Sequence, residues 1–175
     1  MTDTSGRIYP NLEFLGPGTR FAKDIVAFMN EVPMFQGLEG TEVLMIARNM
    51  SCYRAPKAEV LLREGASGDF LLLLISGEVG VWKRDANGIE QKLSVAKRGM
   101  TLGEMSLIDG APRFASCVAN TEVEFAVLQR ADLDQLVNVN PRLCAKFVLL
   151  LLQMMTVRLR EASARMLNLD KTPLA

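Results

Sequence analysis

The middle of the chain alternates between short apolar runs and clusters of turn-forming residues. Runs rich in Val, Leu and Ile occupy residues 60–62, 70–75, 78–82, 91–95, 114–119 and 123–128. Clusters with Gly, Pro, Asp and Asn separate them, and Asn87-Gly88 between two runs is a strong hairpin signal. Strands that recur roughly every 8–12 residues with turns between them are typical of an all-β sandwich or barrel.

Helical periodicity flanks this β region on both sides. Apolar residues recur at helical spacing over residues 21–32, where Pro33 ends the helix, and again over residues 43–50. After the β region, Asp132 is the expected N-cap of a short helix over residues 133–137. Asn140-Pro141 then opens a long helix that runs to about residue 168.

These elements predict a mainly β fold with flanking α-helices. The predicted architecture is an eight-stranded, jelly-roll-like β-barrel with N-terminal helices and a long C-terminal helix. The first segment is expected to be irregular because it contains Pro10, Pro17 and several glycines. The predicted segments are an N-terminal arm (1–20), N-terminal helices (21–50), the barrel (51–130), a C-terminal hinge and dimerisation helix (131–169) and a tail (170–175).

The first half of the long helix is apolar on nearly all sides, whereas its second half is charged. A helix that is apolar all round must be covered on more than one side. One small barrel covers one side, so a second copy of the same helix is the simplest partner for the other. The sequence therefore predicts a homodimer.

Composition narrows the possible partners and the compartment. Twenty basic and twenty acidic residues cancel, so the chain has no long-range attraction for nucleic acid or acidic membranes. The N-terminus lacks the apolar region of a signal peptide, and the apolar stretch 147–157 is far shorter than the ~20 residues of a membrane helix. Cys52, Cys117 and Cys144 form no metal or redox motif and indicate free thiols in the cytoplasm.

The chain contains no histidine. This excludes the usual Ser-His-Asp and Cys-His catalytic arrangements and any metal site with a histidine ligand. No cluster of Cys or carboxylates suggests another metal site, so we expect neither a metal, a cofactor nor an enzymatic activity.

Residues 99–116 have the composition of an anion site. Gly103 lets the backbone approach a ligand, and residues 104–107 can form one helical turn whose free N–H groups favour an anion. Arg113, expected at the start of the next strand, can complete the site with two parallel hydrogen bonds, and Glu104 can accept bonds from hydroxyls. Together they predict a pocket for one phosphate with a neighbouring sugar hydroxyl. The alternative is that Glu104 and Arg113 are a simple ion pair at a turn.

The order of these residues resembles a known family. Gly-Glu-Met-Ser-Leu at 103–107, followed by Pro-Arg-Phe-Ala at 112–115, resembles the phosphate-binding cassette of the cyclic nucleotide-binding domain family. That family includes the catabolite activator protein, the regulatory subunits of protein kinase A and cyclic-nucleotide-gated channels. Residues 32–38 resemble its first helix and turn, and 61–70 and 75–79 resemble its early barrel strands, so the resemblance covers about residues 32–165.

The resemblance implies roles for individual residues. Glu104 would accept the ribose 2′-hydroxyl, and Arg113 would bind the cyclic phosphate. Other implied ligand contacts, several through backbone N–H groups, are Gly103, Met105, Ser106, Phe114 and Ala115. Val81, Leu93, Ser94 and Leu102 would line the pocket, and the long helix would close over the base near Ala162 and Ser163.

The chain departs from the family at Phe114. The residue after the arginine is usually small or hydroxylated, and a threonine or serine there is associated with guanine recognition through its hydroxyl. Phenylalanine cannot make that hydrogen bond, so the sequence favours cAMP over cGMP. Whether the ring crowds the pocket or stacks on the base stays open at this point.

The resulting hypothesis is a cyclic nucleotide sensor that signals by ligand-dependent repositioning of its C-terminal helix. We expect it to lack its own DNA-binding or catalytic domain and to act on a downstream protein partner that the sequence does not identify. One alternative is a degenerate barrel that serves as a ligand-independent dimerisation or protein-interaction module. An enzyme of the cupin type is disfavoured, because such sites usually depend on histidine ligands.

Overall fold

A computed structural model describes residues 7–28 and 37–169. The strands are β1 (Glu13–Pro17), β2 (Ser51–Ala55), β3 (Val60–Leu62), β4 (Phe70–Ser76), β5 (Val79–Arg84), β6 (Glu90–Ala96), β7 (Thr101–Leu102), β8 (Ser116–Ala119) and β9 (Val123–Gln129). A 3₁₀ helix, Gly18–Phe21, follows β1. The α-helices are α1 (Ala22–Phe28), α2 (Gly40–Ala47), α3 (Glu104–Asp109), α4 (Arg130–Val139) and α5 (Pro141–Leu169).

The strands form two antiparallel sheets. A five-stranded sheet has the order β1-β2-β9-β4-β7, and a four-stranded sheet has the order β3-β8-β5-β6. The mainly β fold with flanking helices is confirmed, but the eight-stranded, jelly-roll-like barrel is not. The described residues contain nine strands, and β1 from the N-terminal arm and the short strand β7 form the two edges of the five-stranded sheet. The sheets therefore pack on each other with open edges.

The continuous apolar run of β4 is explained by burial on both faces. Successive side chains of a strand point to opposite faces. Leu71 and Leu73 belong to a core shared with α2, α4 and α5, whereas Leu72 and Leu74 belong to a second core between the two sheets. All four are fully buried. One strand thus joins the helical layer to the sheet sandwich.

The predicted hairpin at Asn87-Gly88 is confirmed as the turn between β5 and β6. Gly88 has a φ of +79°, which a glycine adopts without strain. The Asp85 carboxylate accepts hydrogen bonds from the backbone N–H groups of Asn87 at 2.9 Å and Ile89 at 3.0 Å. These bonds close the turn.

The N-terminal arm was predicted to be irregular, but part of it forms a strand. β1 pairs with β2, and Tyr9 is inserted into the core between the sheets. The Tyr9 hydroxyl donates to the carbonyl of Leu61 at 2.6 Å, and its ring packs edge-on against Phe70 and Phe125. The burial of apolar and aromatic residues in this segment outweighs its Pro and Gly turn signals.

Three further predictions need correction. Ser51–Ala55 is a strand that the pattern of apolar runs did not predict, because Ser51 and Arg54 interrupt its apolar residues. Arg113 does not begin a strand: its N–H and C=O bond to Ala66 and Gly65 in a loop, and β8 begins at Ser116. Gln129 caps α4, and Asp132 is the third helical residue, whose carboxylate accepts from the Gln129 N–H at 3.2 Å.

Some predictions lie outside the described residues. They are the first six residues of the arm, the tail from residue 170, and the helix end at Pro33 with its resemblance over residues 32–36. The helix predicted from residue 21 is described as α1 up to Phe28.

The long helix α5 divides into two halves. Its first half buries Leu143, Phe147 and Leu151 in the core, and Lys146 pairs with Glu42 of α2 at 2.8 Å. Its second half exposes most of its side chains. Within the part of the chain that the structure describes, no helix is long and apolar enough to cross a membrane.

Candidate functional site

A cavity of about 460 Å³ opens between the four-stranded sheet, α3 and the second half of α5. Its lining comes from six separate stretches of chain. These contribute Val81, Leu93, Ser94, Val95 and Ala96 from β5 and β6, Met100, Leu102, Gly103, Glu104, Met105 and Ser106 around α3, Leu62 from β3, Arg113, Phe114, Ala115 and Cys117 from the loop before β8 and its start, and Arg158, Glu161, Ala162 and Arg165 from α5.

The structure brings all the predicted site residues to this cavity except Ser163. Ser163 is exposed on α5, whereas its neighbour Ala162 lines the cavity. Successive residues of an α-helix point about 100° apart, so Ser163 lies well round the helix from the face that carries Arg158, Glu161, Ala162 and Arg165. Within one protomer, the structure therefore does not bring Ser163 to the cavity with the other predicted residues.

Two glycines with positive φ lie at the two ends of α3. Gly103 precedes the helix with a φ of +80°, and Gly110 ends it with a φ of +70°. An added Cβ on Gly103 would lie 2.6 Å from the Arg113 guanidinium. Gly103 thus permits both the backbone turn into α3 and the close approach of Arg113 to its carbonyl, which accepts from Arg113 Nη1 at 2.9 Å.

Arg113 is a buried cation with unused hydrogen-bonding capacity. It is 4% exposed, and its guanidinium lies 4.3 Å above the centre of the Phe70 ring. Among the atoms of the described residues, its Nη2 has no hydrogen-bond partner. Burial lowers the pKa of the Arg113 guanidinium, yet arginine stays charged in proteins. A buried, under-bonded guanidinium is stabilised by an anion, above all one with paired oxygens.

Glu104 is the matching buried carboxylate. It is 5% exposed, and its Oε2 has no partner among the described residues. Its Oε1 pairs with the guanidinium of Arg158 from α5, which also donates to the carbonyl of Thr101 at 2.8 Å. Glu104 is thus paired with Arg158 and not, as the simple-turn alternative would have it, with Arg113.

Arg158 is the main site residue that the sequence analysis missed. Arg158, Glu161, Ala162 and Arg165 all line the cavity. Glu161 and Ala162 lie three and four positions after Arg158, and Arg165 follows them by four and three, so the four residues share one face of a helix. Once Ala162 is placed at the cavity, this spacing places the three charged residues there too.

The arrangement is suited to binding. The site offers one unsatisfied donor on Arg113 and one unsatisfied acceptor on Glu104, within a largely apolar cavity. The thiol of Cys117 also lines the cavity, but burial raises its pKa to about 12, so it is protonated and a poor nucleophile near neutral pH. The described ranges, 7–28 and 37–169, hold no group of three Cys, Asp or Glu side chains that could bind a metal ion.

A known family matches the part of the chain that forms this cavity, except for the residues that α5 contributes. The profile of the cyclic nucleotide-binding domain family matches residues 53–140, which include Gly103, Glu104 and Arg113. Its match ends at the start of α5, so Arg158 lies beyond it.

A crystal structure of a cyclic nucleotide-binding domain from Methylobacillus flagellatus KT is similar over the whole chain. The two share 38% sequence identity with a TM-score of 0.86, and the match covers 100% of this chain and 99% of the other.

Two curated relatives are longer proteins. The cAMP-dependent protein kinase regulatory subunit of Aspergillus niger is 38% identical over 110 residues, which are 63% of this chain and 26% of that protein. The cyclic AMP receptor protein of Thermus thermophilus is 32% identical over 134 residues, which are 77% of this chain and 60% of that protein. The chain thus spans about a quarter of the fungal subunit and less than two thirds of the bacterial receptor.

Proposed function

Because the chain belongs to the cyclic nucleotide-binding domain family, we propose that its cavity binds a cyclic nucleoside monophosphate and that the protein acts as a sensor rather than an enzyme. The observation that supports this most is the pair of buried, oppositely charged side chains, Arg113 and Glu104, each with one unsatisfied polar atom at one cavity. A cyclic nucleotide supplies the anionic phosphate and the hydroxyl that these atoms need.

In this proposal, Arg113 donates to the cyclic phosphate and Glu104 accepts from the ribose 2′-hydroxyl. The ligand is cAMP in preference to cGMP. Two relatives have names that refer to cAMP, and Phe114 lacks the hydroxyl associated with guanine recognition in the family.

The signal is proposed to pass through α5. Arg158 joins this helix to Glu104, which is the residue proposed to hold the ribose. A nucleotide that bonds to Oε2 of Glu104 shares this carboxylate with Arg158, which pairs with Oε1, and so changes the strength of the contact that holds the helix. A shift of the helix requires that the ligand bind the two helix positions with different affinity.

A second copy of the chain is proposed to pack on α5. Seven exposed residues of this helix follow one another at alternating spacings of four and three: Ala145, Leu149, Leu152, Thr156, Leu159, Ser163 and Met166. Apolar residues at this spacing form the seam of a two-stranded coiled coil. Ser163 lies on this seam, so in a dimer it would face the partner helix.

Calorimetric titration and thermal melting test the binding proposal. We expect cAMP to bind the wild-type protein and, at about 100 times its Kd, to add about 2.7 kcal/mol to the free energy of unfolding. The Arg113→Ala variant should lose this melting shift, whereas Arg63→Ala, which removes an exposed arginine outside the cavity, should keep it.

A full shift in Arg113→Ala would refute the role of that residue. Unchanged melting of the wild-type protein with millimolar cAMP and millimolar cGMP would refute the sensor. It would support instead a module that dimerises or docks without a ligand.

A further inference from the structure

Phe114 is an exposed aromatic residue between two buried residues of the chain. Its neighbours Arg113 and Ala115 are 4% and 8% exposed, whereas Phe114 is 52% exposed and lines the cavity. A large aromatic ring left in contact with water forgoes much of the stabilisation that burial would supply. An exposed ring at the wall of a binding cavity is therefore a candidate contact for a ligand.

The ring is held in place by a charged network behind it. Lys83 Nζ lies 4.6 Å from the centre of the Phe114 ring and 2.7 Å from Glu64 Oε1. Glu64 Oε2 accepts from the backbone N–H of Arg84 at 3.0 Å. The hydrogen bond from Lys83 lowers the pKa of the Glu64 carboxyl, so Glu64 is ionised at neutral pH. A ring that is already oriented loses less conformational entropy when a ligand binds.

The two walls of the cavity differ in chemistry. Leu93 and Met105 are large apolar residues that are exposed and line the cavity, as Phe114 does. The α5 wall instead presents Arg158, Glu161 and Arg165. The flat face of a nucleobase stacks on an aromatic ring, whereas charged side chains suit the polar edges of the base. The apolar part of the lining, which includes Phe114, thus fits the face of a base.

Given the proposed function, we infer that Phe114 is a specificity-determining residue of the site. Its ring, fixed by Lys83 and Glu64, stacks on the base of the bound nucleotide and selects purine over pyrimidine bases. The larger π-surface of a purine gains more from this contact than that of a pyrimidine. The phosphate and ribose contacts, by contrast, are the same for all four cyclic mononucleotides.

Titration of the wild-type protein and Phe114→Ala with cAMP, cGMP, cCMP and cUMP tests this inference. We expect wild type to prefer the purines, and Phe114→Ala to lose roughly ten-fold in affinity for cAMP with a smaller loss for cUMP. Phe114→Leu keeps an apolar side chain without a ring and should also lose the purine preference. Ile89→Ala, which removes an exposed apolar residue at the β5–β6 turn away from the cavity, is the matched control and should change nothing.

The adenine protons supply a second readout that folding defects do not mimic. Stacking on Phe114 should shift the NMR signals of bound adenine upfield, and the shift should disappear in Phe114→Ala. Lys83→Met should weaken cAMP binding by a smaller factor than Phe114→Ala, because the ring is retained but less well oriented.

The possible failures are distinguishable. If wild type binds none of the four nucleotides, the proposed function itself is wrong. If wild type binds cAMP and Phe114→Ala keeps the purine preference, the stacking role is wrong while the sensor stands. Tighter cAMP binding by Phe114→Ala would show that the ring crowds the cavity, and would likewise overturn the inference.

Discussion

At the scale of single residues, the site depends on two glycines, Gly68 and Gly103, whose lack of a side chain leaves room for Arg113. Arg113 is packed between two glycines: an added Cβ on Gly68 would lie 2.5 Å from Nη2, and one on Gly103 would lie 2.6 Å from Nη1. Nη2 is also the atom without a partner. The space beside Gly68 therefore determines where the unsatisfied donor lies.

Gly68→Ala should displace the Arg113 guanidinium and weaken cAMP binding roughly ten-fold or more, about 1.4 kcal/mol. Gly68 has no positive φ, so the cost is steric and not a backbone penalty. The matched control is Gly88→Ala, where φ is +79° and nothing lies within 4 Å of the new methyl group. This control should lose about 1 kcal/mol of stability and keep its affinity for cAMP, as measured by denaturation and titration. Equal affinities in both variants would contradict the steric argument.

At the scale of elements, the Arg158–Glu104 pair is the contact that joins α5 to the segment around α3. Glu104 is buried, whereas about a third of the Arg158 side chain is exposed. An ion pair with one buried partner is asymmetric, since removal of the cation leaves a carboxylate with no compensation in a poorly solvated place. The contact also positions the second half of a helix that has few other contacts with the body of the domain.

Arg158→Met should destabilise the ligand-free protein by about 1–2 kcal/mol, a value reduced by the partial exposure of Arg158. The double variant Arg158→Met/Glu104→Gln should recover part of that loss, because the unpaired charge is gone. Denaturant unfolding of the four proteins in this cycle measures the coupling. Additive losses would mean that the two side chains do not depend on each other for stability.

The Arg158→Met variant of this cycle also tests whether Arg158 holds the second half of α5 in place. Arg158→Met should increase hydrogen exchange in the second half of α5 and leave the first half protected, since that half is held by the core and by Lys146–Glu42. Uniform exchange along the helix in both proteins would argue against Arg158 as its attachment point.

At the scale of the whole molecule, the 29 residues of α5 span about 43 Å and extend beyond the two packed sheets. The exposed seam runs along this helix and includes Leu149, Leu152 and Leu159, which are 58%, 45% and 67% exposed. An apolar stripe of this length on a protein surface is typical of an interaction site. Arg158 lies one position before the seam residue Leu159, so dimerisation and the cavity would share one helix.

Leu152→Lys combined with Leu159→Lys should convert the proposed dimer to a monomer, because it places like charges opposite each other across the seam. Sedimentation velocity measures the change, and we expect the dimer Kd to rise at least roughly ten-fold. Val157→Lys alters an exposed apolar residue of the same helix off the seam and should leave the dimer intact. A monomeric wild-type protein, or dissociation by Val157→Lys alone, would contradict the seam.

The sequence by itself determined the elements whose cause is local. The continuous run of β4, the Asn87-Gly88 hairpin and the start of α5 at Pro141 follow from periodicity, φ preferences and helix-start chemistry, which act within a few residues. The Gly103-Glu104 and Arg113-Phe114 motifs predicted the pocket from the sequence for the same reason, because these residues lie within a short stretch of chain.

Only the tertiary structure decided the features that depend on distant neighbours. β1 is a strand because β2 offers it a pairing edge, and Tyr9 is partly buried because it packs against Phe70 and Phe125. Arg158 reaches Glu104 across 54 positions of sequence, and Ser163 turns away from the cavity that Ala162 lines. Burial, pairing across sheets and helix orientation are properties of the packed chain, and no local pattern encodes them.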